Sequence, residues 1–127
     1  MVKRRVLLAE DNSVLNEIMQ IELKALNYDV IVAKNGREAL EMATSKSADL
    51  IIMDLMMPEL DGFQAASEIR SNPKTQATPM LAITGFSVPE ARERCLACGF
   101  DDCIAKPFTF PELKGAIEKT LKERSIY

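Results

Sequence analysis

The sequence predicts an α/β domain in which a parallel β-sheet is covered by helices on both faces. Short, continuously apolar runs alternate along the chain with segments whose apolar residues recur at helical spacing. Strands that are apolar throughout are typical of a sheet buried on both sides. Right-handed crossovers between successive parallel strands then place helices on both faces. We therefore expect five strands and five helices in a single domain over residues 1–127.

Five apolar runs define the predicted strands: Val6–Ala9, Val30–Ala33, Leu50–Met53, Met80–Ile83 and Cys103–Ala105. The first predicted helix follows Asn12 and Ser13, which are residue types favoured at helix starts. At helical spacing, its apolar face consists of Val14, Ile18, Ile21 and Ala25.

The other predicted helices also have recognisable ends. The second begins near Asn35–Gly36, and Gly99 is a natural end for the fourth. Ser87–Glu90 and Thr109–Glu112 are capping boxes, whose paired side chains accept hydrogen bonds from free amides at the starts of the fourth and fifth helices. Apolar faces are predicted at Phe63, Ala66 and Ile69 in the third helix and at Leu113, Ala116, Ile117 and Leu121 in the fifth.

Composition excludes several classes of function. The 127 residues include no histidine, so catalytic pairs and metal sites that need an imidazole are ruled out within this chain. Sixteen Lys and Arg against nineteen Asp and Glu give a net charge of −3, which disfavours nucleic-acid binding. No apolar stretch predicts a membrane span or a signal peptide, so we expect a cytoplasmic protein, with Lys3–Arg5 as a solvated strand entrance.

Three cysteines, Cys95, Cys98 and Cys103, lie close together near the end of the chain. An odd number excludes full pairing, and structural zinc sites usually need four cysteine or histidine ligands. Cys95 and Cys98 continue a helical stripe that starts at Ala91. We therefore predict that these cysteines pack as small hydrophobes rather than serve metal or redox chemistry.

Polar residues follow four of the predicted strands. Glu10–Asp11 follow the first strand, Asp54 the third, Thr84 the fourth and Lys106 the fifth. Carboxyl ends of parallel strands share one edge of the sheet, where ligands of open α/β folds bind. Clustered carboxylates repel one another and favour a hard divalent cation, for which Mg²⁺ is well suited.

Such a set can accept a phosphoryl group. Asp54 would attack phosphorus while Mg²⁺, Thr84 and Lys106 stabilise the charge on its oxygens. Other uses of this fold fit less well, because a bare phosphate would be repelled by Glu10–Asp11 and the glycine-rich fingerprint of dinucleotide sites is absent. A phosphatase of the haloacid dehalogenase type would need an acid at position 56, where this chain has Met56.

Four segments together resemble the receiver domain of two-component response regulators. They are LLAEDN at Leu7–Asn12, MDLMMPELDGF at Met53–Phe63, ITG at Ile83–Gly85 and AKPF at Ala105–Phe108. Their order and spacing match the family along the whole chain. The resemblance implies a flavodoxin-like sheet with strand order 2-1-3-4-5.

The resemblance also implies a role for each site residue. Asp54 is expected to be the phosphoacceptor, Thr84 the hydroxyl that turns towards the phosphoryl group, and Lys106 the cation that pairs with it, before a cis Pro107. The implied Mg²⁺ ligands are Asp11 directly, Glu10 through water, Asp54, and the backbone carbonyl of Met56.

One residue departs from the family pattern. A tyrosine or phenylalanine usually lies three residues before the lysine and turns inward on phosphorylation, whereas this chain has Cys103 there. A thiol lacks the volume of that ring. We therefore expect the switch to be weakened or to be carried by Phe86.

Other residues near the motifs receive structural interpretations. Asp61–Gly62 is predicted to start a helix and Asp101–Asp102 to form a solvated turn. The side chains of Met53, Met56 and Met57 are expected to fill gaps in the core. For Gly85, two interpretations stay open: space for the phosphoryl group or a turn.

The expected function is therefore that of a phosphoacceptor in a phosphorelay. A histidine kinase or a histidine phosphotransfer protein would be the donor, and an unidentified protein the downstream target, with no nucleic-acid or membrane partner. Self-catalysed phosphorylation and dephosphorylation are expected and do not make the chain a conventional enzyme. The alternative is an interaction module that works without phosphorylation. Whether the chain is a stand-alone regulator or a receiver from a larger protein stays open.

Overall fold

The computed structural model describes residues 3–57, 59–85 and 88–124, and it confirms the predicted fold class. Five parallel strands form one sheet in the order β2-β1-β3-β4-β5. The strands are β1 Arg5–Ala9, β2 Asp29–Ala33, β3 Leu50–Asp54, β4 Met80–Thr84 and β5 Asp102–Ala105. The helices are α1 Ser13–Ala25, α2 Gly36–Lys46, α3 Gly62–Ser71, α4 Val88–Cys98 and α5 Phe110–Arg124.

The sheet separates two apolar layers. Alternate strand residues point to opposite faces, so Leu7 and Ile51 enter one layer while Leu8 and Ile52 enter the other. Helices α2, α3 and α4 cover the first layer, and α1 and α5 cover the second. The three central strands are consequently buried almost throughout, which explains why their sequences are continuously apolar.

The predicted apolar face of helix α1 points to solvent instead of to the sheet. Its buried residues are Asn16, Met19 and Leu23, which pack towards the sheet. Val14, Ile18 and Ile21 are instead 66%, 48% and 70% exposed, and Ala25 is exposed as well. The helix therefore has an apolar stripe on its solvent side, and we call Val14, Ile18 and Ile21 the α1 stripe.

Helix starts follow the predicted chemistry. The side chains of Asn12, Asn35 and Asp61 each accept a hydrogen bond from a backbone amide in the first turn of α1, α2 and α3. The capping box of α5 is confirmed, with Thr109 N donating to Glu112 Oε1 at 3.0 Å and Glu112 N donating to Thr109 Oγ1 at 3.2 Å. The Ser87–Glu90 box lies outside the described residues.

A half-buried arginine connects α3 to the loops at the amino-terminal edge of the sheet. Arg70 donates hydrogen bonds to the carbonyls of Gly99 at 2.8 Å and Thr78 at 2.6 Å, and forms an ion pair with Asp101 at 3.1 Å. Gly99 ends α4 as predicted, with φ +110, and a Cβ there would lie 2.3 Å from Arg70 Cγ. Arg70 therefore holds together segments that are distant in sequence.

The prediction of a solvated turn at Asp101–Asp102 is wrong. Asp101 accepts a hydrogen bond from the Met80 amide at 2.8 Å as well as from Arg70. Asp102 begins β5 and is buried, and its carboxylate is paired with Arg92 of α4 at 2.5 Å and with Lys119 of α5 at 3.5 Å. Cations from other elements account for the burial of Asp102 and the partial burial of Asp101.

The remaining composition-based predictions concern the surface. Lys3–Arg5 are exposed at the entrance to β1, as expected. Within the ranges that the structure describes, no helix is long and apolar enough to span a bilayer.

Arg70→Met should lower the free energy of unfolding by about 3 kcal/mol, because it removes the ion pair with the half-buried Asp101 carboxylate and the hydrogen bonds to the carbonyls of Gly99 and Thr78. Urea unfolding followed by circular dichroism measures the change. The control Arg37→Met removes an exposed arginine and should change stability little. Equal stability of the two variants would show that Arg70 does not have this role.

Candidate functional site

The predicted site residues meet at the carboxyl edge of the sheet. Glu10–Asp11 directly follow β1, Asp54 ends β3, Thr84 ends β4, and Lys106 directly follows β5. The register of the sheet explains this, since Ala9 pairs with Met53 and Thr84 pairs with Ala105. Residues that are as much as 96 positions apart thus reach one place through strand pairing alone.

Three carboxylates form a cluster at this edge. Glu10, Asp11 and Asp54 each offer one oxygen, and these oxygens lie within 4.8 Å of one another. Glu10 and Asp54 are buried, whereas Asp11 is exposed. The cluster is therefore open to solvent on one side, and its negative charge requires a counterion.

Lys106 supplies positive charge between the two buried carboxylates. Its Nζ lies 2.5 Å from Asp54 Oδ2 and 3.0 Å from Glu10 Oε1. Burial acts to lower the pKa of Lys106, but the hydrogen bonds and charges of Asp54 and Glu10 outweigh it and raise that pKa. The ammonium form is thus stabilised at neutral pH.

Glu10 is held in place by its own loop. Its Oε2 accepts a hydrogen bond from the Asn12 amide at 3.0 Å, and its backbone carbonyl accepts one from Asn16 Nδ2 at 2.9 Å. Burial raises the pKa of Glu10 despite the amide and the Lys106 ammonium, which act to lower it. Oε1 is buried and, apart from its ion-pair contact with Lys106, accepts no hydrogen bond of normal geometry from the residues that the structure describes. The carboxylate therefore has capacity for a further cation.

Backbone amides in and after the loop that follows β3 hold Asp54 and the neighbouring Leu55 in place. Met56 N donates to Asp54 Oδ1 at 3.0 Å, and Gly62 N donates to the carbonyl of Leu55 at 3.0 Å. A Cβ at Gly62 would lie only 2.6 Å from the carbonyl oxygen of Asp54. Gly62 starts α3, as predicted, but it also allows the loop to approach the site. The position of Gly62 within the Met53–Phe63 segment is the only signal in the sequence that could have indicated this close approach.

The methionines of this loop differ from one another. Met53 and Met57 are buried, in agreement with the prediction, but the side chain of Met56 is 61% exposed beside the site. Filling of the core therefore describes the first two and is wrong for Met56.

Thr84 and Lys106 are connected through the backbone. Thr84 is fully buried, and Lys106 N donates to its carbonyl at 2.8 Å. The Lys106–Pro107 bond is cis, as the resemblance implied. A Cβ at Gly85 would meet no atom of the described residues within 4 Å, so the protein itself does not require glycine there for space.

Cys103, at the predicted switch position, is buried in β5. Its part in a switch stays a prediction. Phe86, the alternative carrier of the switch, lies outside the described residues.

The donor set fits a hard divalent cation. It consists of three clustered carboxylates, one of them with an oxygen that lacks a normal hydrogen bond, and it is open to solvent at Asp11. Oxygen ligands in such an arrangement suit Mg²⁺, which keeps several waters when it binds to protein.

Fold and site define an α/β domain with an acidic cluster that could hold a cation and a lysine at the carboxyl edge of its sheet. The model of the response regulator receiver domain family matches residues 6–118, and this chain belongs to that family.

Relatives agree with this assignment. Response regulator ArlR of Staphylococcus saprophyticus is 37% identical over 94% of this chain and 53% of its own length. One similar solved structure is the receiver domain of sensor histidine kinase PA1611 from Pseudomonas aeruginosa PAO1, which contains a magnesium ion in its active site cleft. It is 33% identical in sequence, with a TM-score of 0.87, and the match covers 95% of this chain and 99% of that one. Chemotaxis response regulator CheY4 of Vibrio cholerae is 28% identical with a TM-score of 0.88, over 94% and 99% of the two chains. The chain spans about half the length of the first curated relatives it matches.

Gly62→Ala should lower the free energy of unfolding by about 2 kcal/mol, because the new methyl group would collide with the Asp54 carbonyl. Gly115→Ala is the matched control. Gly115 is exposed within α5 and a Cβ there meets no described atom within 4 Å, so alanine should stabilise that helix by about 0.5–1 kcal/mol. Urea unfolding measures both variants, and equal shifts would contradict the packing role of Gly62.

Proposed function

We propose that this receiver domain accepts a phosphoryl group on Asp54 from a phosphohistidine on another protein, with Mg²⁺ as cofactor. The observation that carries the proposal is the contact of Lys106 Nζ with Asp54 Oδ2 inside the carboxylate cluster. This contact combines a nucleophile, a cation and a cation-binding cluster in one place. Phosphoryl transfer requires mainly such positioning and neutralisation of charge.

Asp54 is the nucleophile in this proposal. The Met56 amide binds its Oδ1 and fixes the carboxylate plane. A carboxylate oxygen forms a bond to phosphorus while the bond from phosphorus to the donor imidazole nitrogen breaks, and the imidazole keeps that electron pair. The chain acts as the acceptor in this step, and the resulting acyl phosphate is open to hydrolysis.

Three other groups assist the transfer. Mg²⁺, when bound by Glu10, Asp11, Asp54 and the Met56 carbonyl, neutralises negative charge on the carboxylates and the phosphoryl oxygens. Lys106 remains protonated and pairs with a phosphoryl oxygen. Thr84 provides a hydroxyl for another oxygen from the end of β4.

Incubation with acetyl phosphate and Mg²⁺ should add the mass of one phosphate to the wild-type protein. Asp54→Asn should add none, because the amide is not a nucleophile for phosphorus. Asp61→Asn is the control, since Asp61 caps α3 and asparagine caps helices equally well. Intact mass spectrometry measures all three. A wild type that is not labelled, or an Asp54→Asn variant that is, would reject the assignment.

Lys106→Met should bind Mg²⁺ about tenfold more tightly than the wild type, because the ammonium no longer competes with the ion for Glu10 and Asp54. Isothermal titration calorimetry measures the affinity. Lys114→Met, which removes an exposed lysine on α5, should leave it unchanged. Weaker binding by Lys106→Met would contradict the proposed competition.

In this proposal the donor imidazole belongs to a protein segment outside these 127 residues, which contain no histidine. The α1 stripe supports such a partner, because it runs along the helix that starts directly beside the cluster. A groove of about 310 Å³ between α1 and the end of β2 leads from Glu10 and Asp11 along the same helix. An apolar helical surface of the donor that covers the stripe would bring its histidine to this edge of the sheet.

Ile18→Glu should slow labelling by a phosphorylated histidine phosphotransfer protein about tenfold, because it places a charge within the proposed contact. Labelling by acetyl phosphate should not change. Leu96→Glu is the matched control, since Leu96 is similarly exposed but lies on α4. Equal rates for the wild type and Ile18→Glu with the protein donor would remove the stripe from the proposal.

A second candidate function is an interaction module that works without phosphorylation. Cys103 favours it, because a small buried thiol replaces the usual aromatic ring of the switch. Under this alternative, the acetyl phosphate experiment gives no label, or a label that leaves the α4 and β5 amide signals unchanged.

A further inference from the structure

Three free thiols lie in one part of the fold and have no role in the proposed phosphoryl transfer. Cys95 and Cys98 are on α4, and Cys103 is in β5, against which α4 packs. Cys95 and Cys103 are buried in the same apolar layer, in agreement with the predicted packing, and Cys98 packs against that layer from outside. The three thiols thus lie in a series from the protein surface, at Cys98, to the apolar layer on one face of the sheet.

Cys95 and Cys103 lie in the same apolar layer, where α4 packs against β5. Burial, with a contribution from the neighbouring Cys103 thiol and a hydrogen bond to it, raises the pKa of Cys95 to about 12. Burial also raises the pKa of Cys103. Because the thiolate is the reactive form, neither thiol is an effective first nucleophile at neutral pH. A reaction between them must begin at another group.

Cys98 is placed to begin such a reaction. Its side chain is half-buried and lines an open groove of about 390 Å³ between α3 and α4, beside Leu60 and Phe63. A small molecule can therefore reach Cys98, whereas Cys95 has no exposed surface. Cys95 lies one helical turn earlier, and its sulfur is close enough to interact electrostatically with Cys98.

We propose that Cys95 and Cys103 form a reversible disulfide that links α4 to β5, and that Cys98 is the thiol at which a small-molecule disulfide such as oxidised glutathione starts its formation.

Three thiol–disulfide exchanges lead to this bond. The Cys98 thiolate attacks the small disulfide, forms a mixed disulfide and releases one small thiolate. The Cys95 proton passes to the first small thiolate while the Cys95 sulfur attacks the Cys98 sulfur, and the second small thiolate leaves. The Cys103 proton passes to that second thiolate while the Cys103 sulfur attacks the Cys95 sulfur, so that Cys98 is released as a thiolate. In total, two protein thiols lose two electrons and two protons, and the small disulfide is reduced to two thiols.

The cross-link would lie directly below the proposed phosphoacceptor site. Cys103 pairs with Ala82 of β4, two residues before Thr84, and precedes Lys106 by three residues. It would hold α4 and β5 in the arrangement of the unphosphorylated protein. Binding or modification that requires a different arrangement of α4 and β5 then becomes less favourable. This consequence rests on the proposed function, whereas formation of the disulfide does not.

Peptide mapping tests the disulfide without phosphorylation. The protein is incubated with oxidised glutathione, its free thiols are blocked with iodoacetamide, and its peptides are analysed by mass spectrometry without reduction. We expect a linked pair that contains Cys95 and Cys103, with only Cys98 blocked, and its loss on treatment with dithiothreitol. Cys98→Ser should slow formation of the link about tenfold, because the accessible thiol is missing. In the Cys103→Ser variant, the reaction should stop at a disulfide between Cys95 and Cys98.

Three results would overturn the proposal: three blocked thiols, glutathione retained on Cys98 alone, or a final bond between Cys95 and Cys98 in the wild type. A second measurement compares acetyl phosphate labelling of the oxidised and reduced proteins, and we expect the oxidised form to be labelled about threefold more slowly. Cys95→Ala should be labelled equally in both conditions. If the cross-linked and the reduced wild type are labelled at equal rates, the disulfide does not affect phosphoryl transfer. If the reduced protein is not labelled at all, the proposed function is rejected, but the peptide mapping still tests the disulfide.

Discussion

The ion pairs of Lys106 with Glu10 and Asp54 are the interaction on which the candidate site depends. Two buried carboxylates cannot stay ionised beside each other without a cation, because the loss of water costs several kcal/mol per charge. Lys106 contacts both of them, at 3.0 and 2.5 Å. The position of the lysine depends in turn on β5, whose backbone pairs with Thr84 at its end. The charge balance of the site is therefore a consequence of the sheet.

The loops around the site are shaped by close backbone contacts rather than by side chains. Gly62 approaches the Asp54 carbonyl so closely that no Cβ fits, and a Cβ at Gly36 would likewise collide with the Leu60 carbonyl. The Met56 and Asn12 amides donate to the carboxylates of Asp54 and Glu10, which orients both side chains. In this way, the backbone orients the two carboxylates in advance for the cation and the phosphoryl group that we propose they bind.

Much of this arrangement could be predicted from the sequence because it depends on local pattern. Each strand begins and ends within one residue of its apolar run, and the site residues follow strands whose ends must share an edge. The errors have a non-local cause. Helical spacing identifies an apolar face on α1 but not the face that the sheet covers, and Asn16 is buried there because it binds the Glu10 carbonyl. Asp101 is half-buried rather than solvated because Arg70, 31 positions earlier, pairs with it. The close approach of Gly62 to Asp54 likewise depends on tertiary structure.

A crystal structure of the protein grown with Mg²⁺ and beryllofluoride is the most direct test of whether Asp54 accepts a phosphoryl group. We expect the beryllofluoride group to bond to a carboxylate oxygen of Asp54, with Thr84 and Lys106 in contact with its fluorines and Mg²⁺ bound among Glu10, Asp11 and Asp54. A structure in which Lys106 still joins Glu10 to Asp54, or in which the group bonds to a different carboxylate, would contradict this expectation.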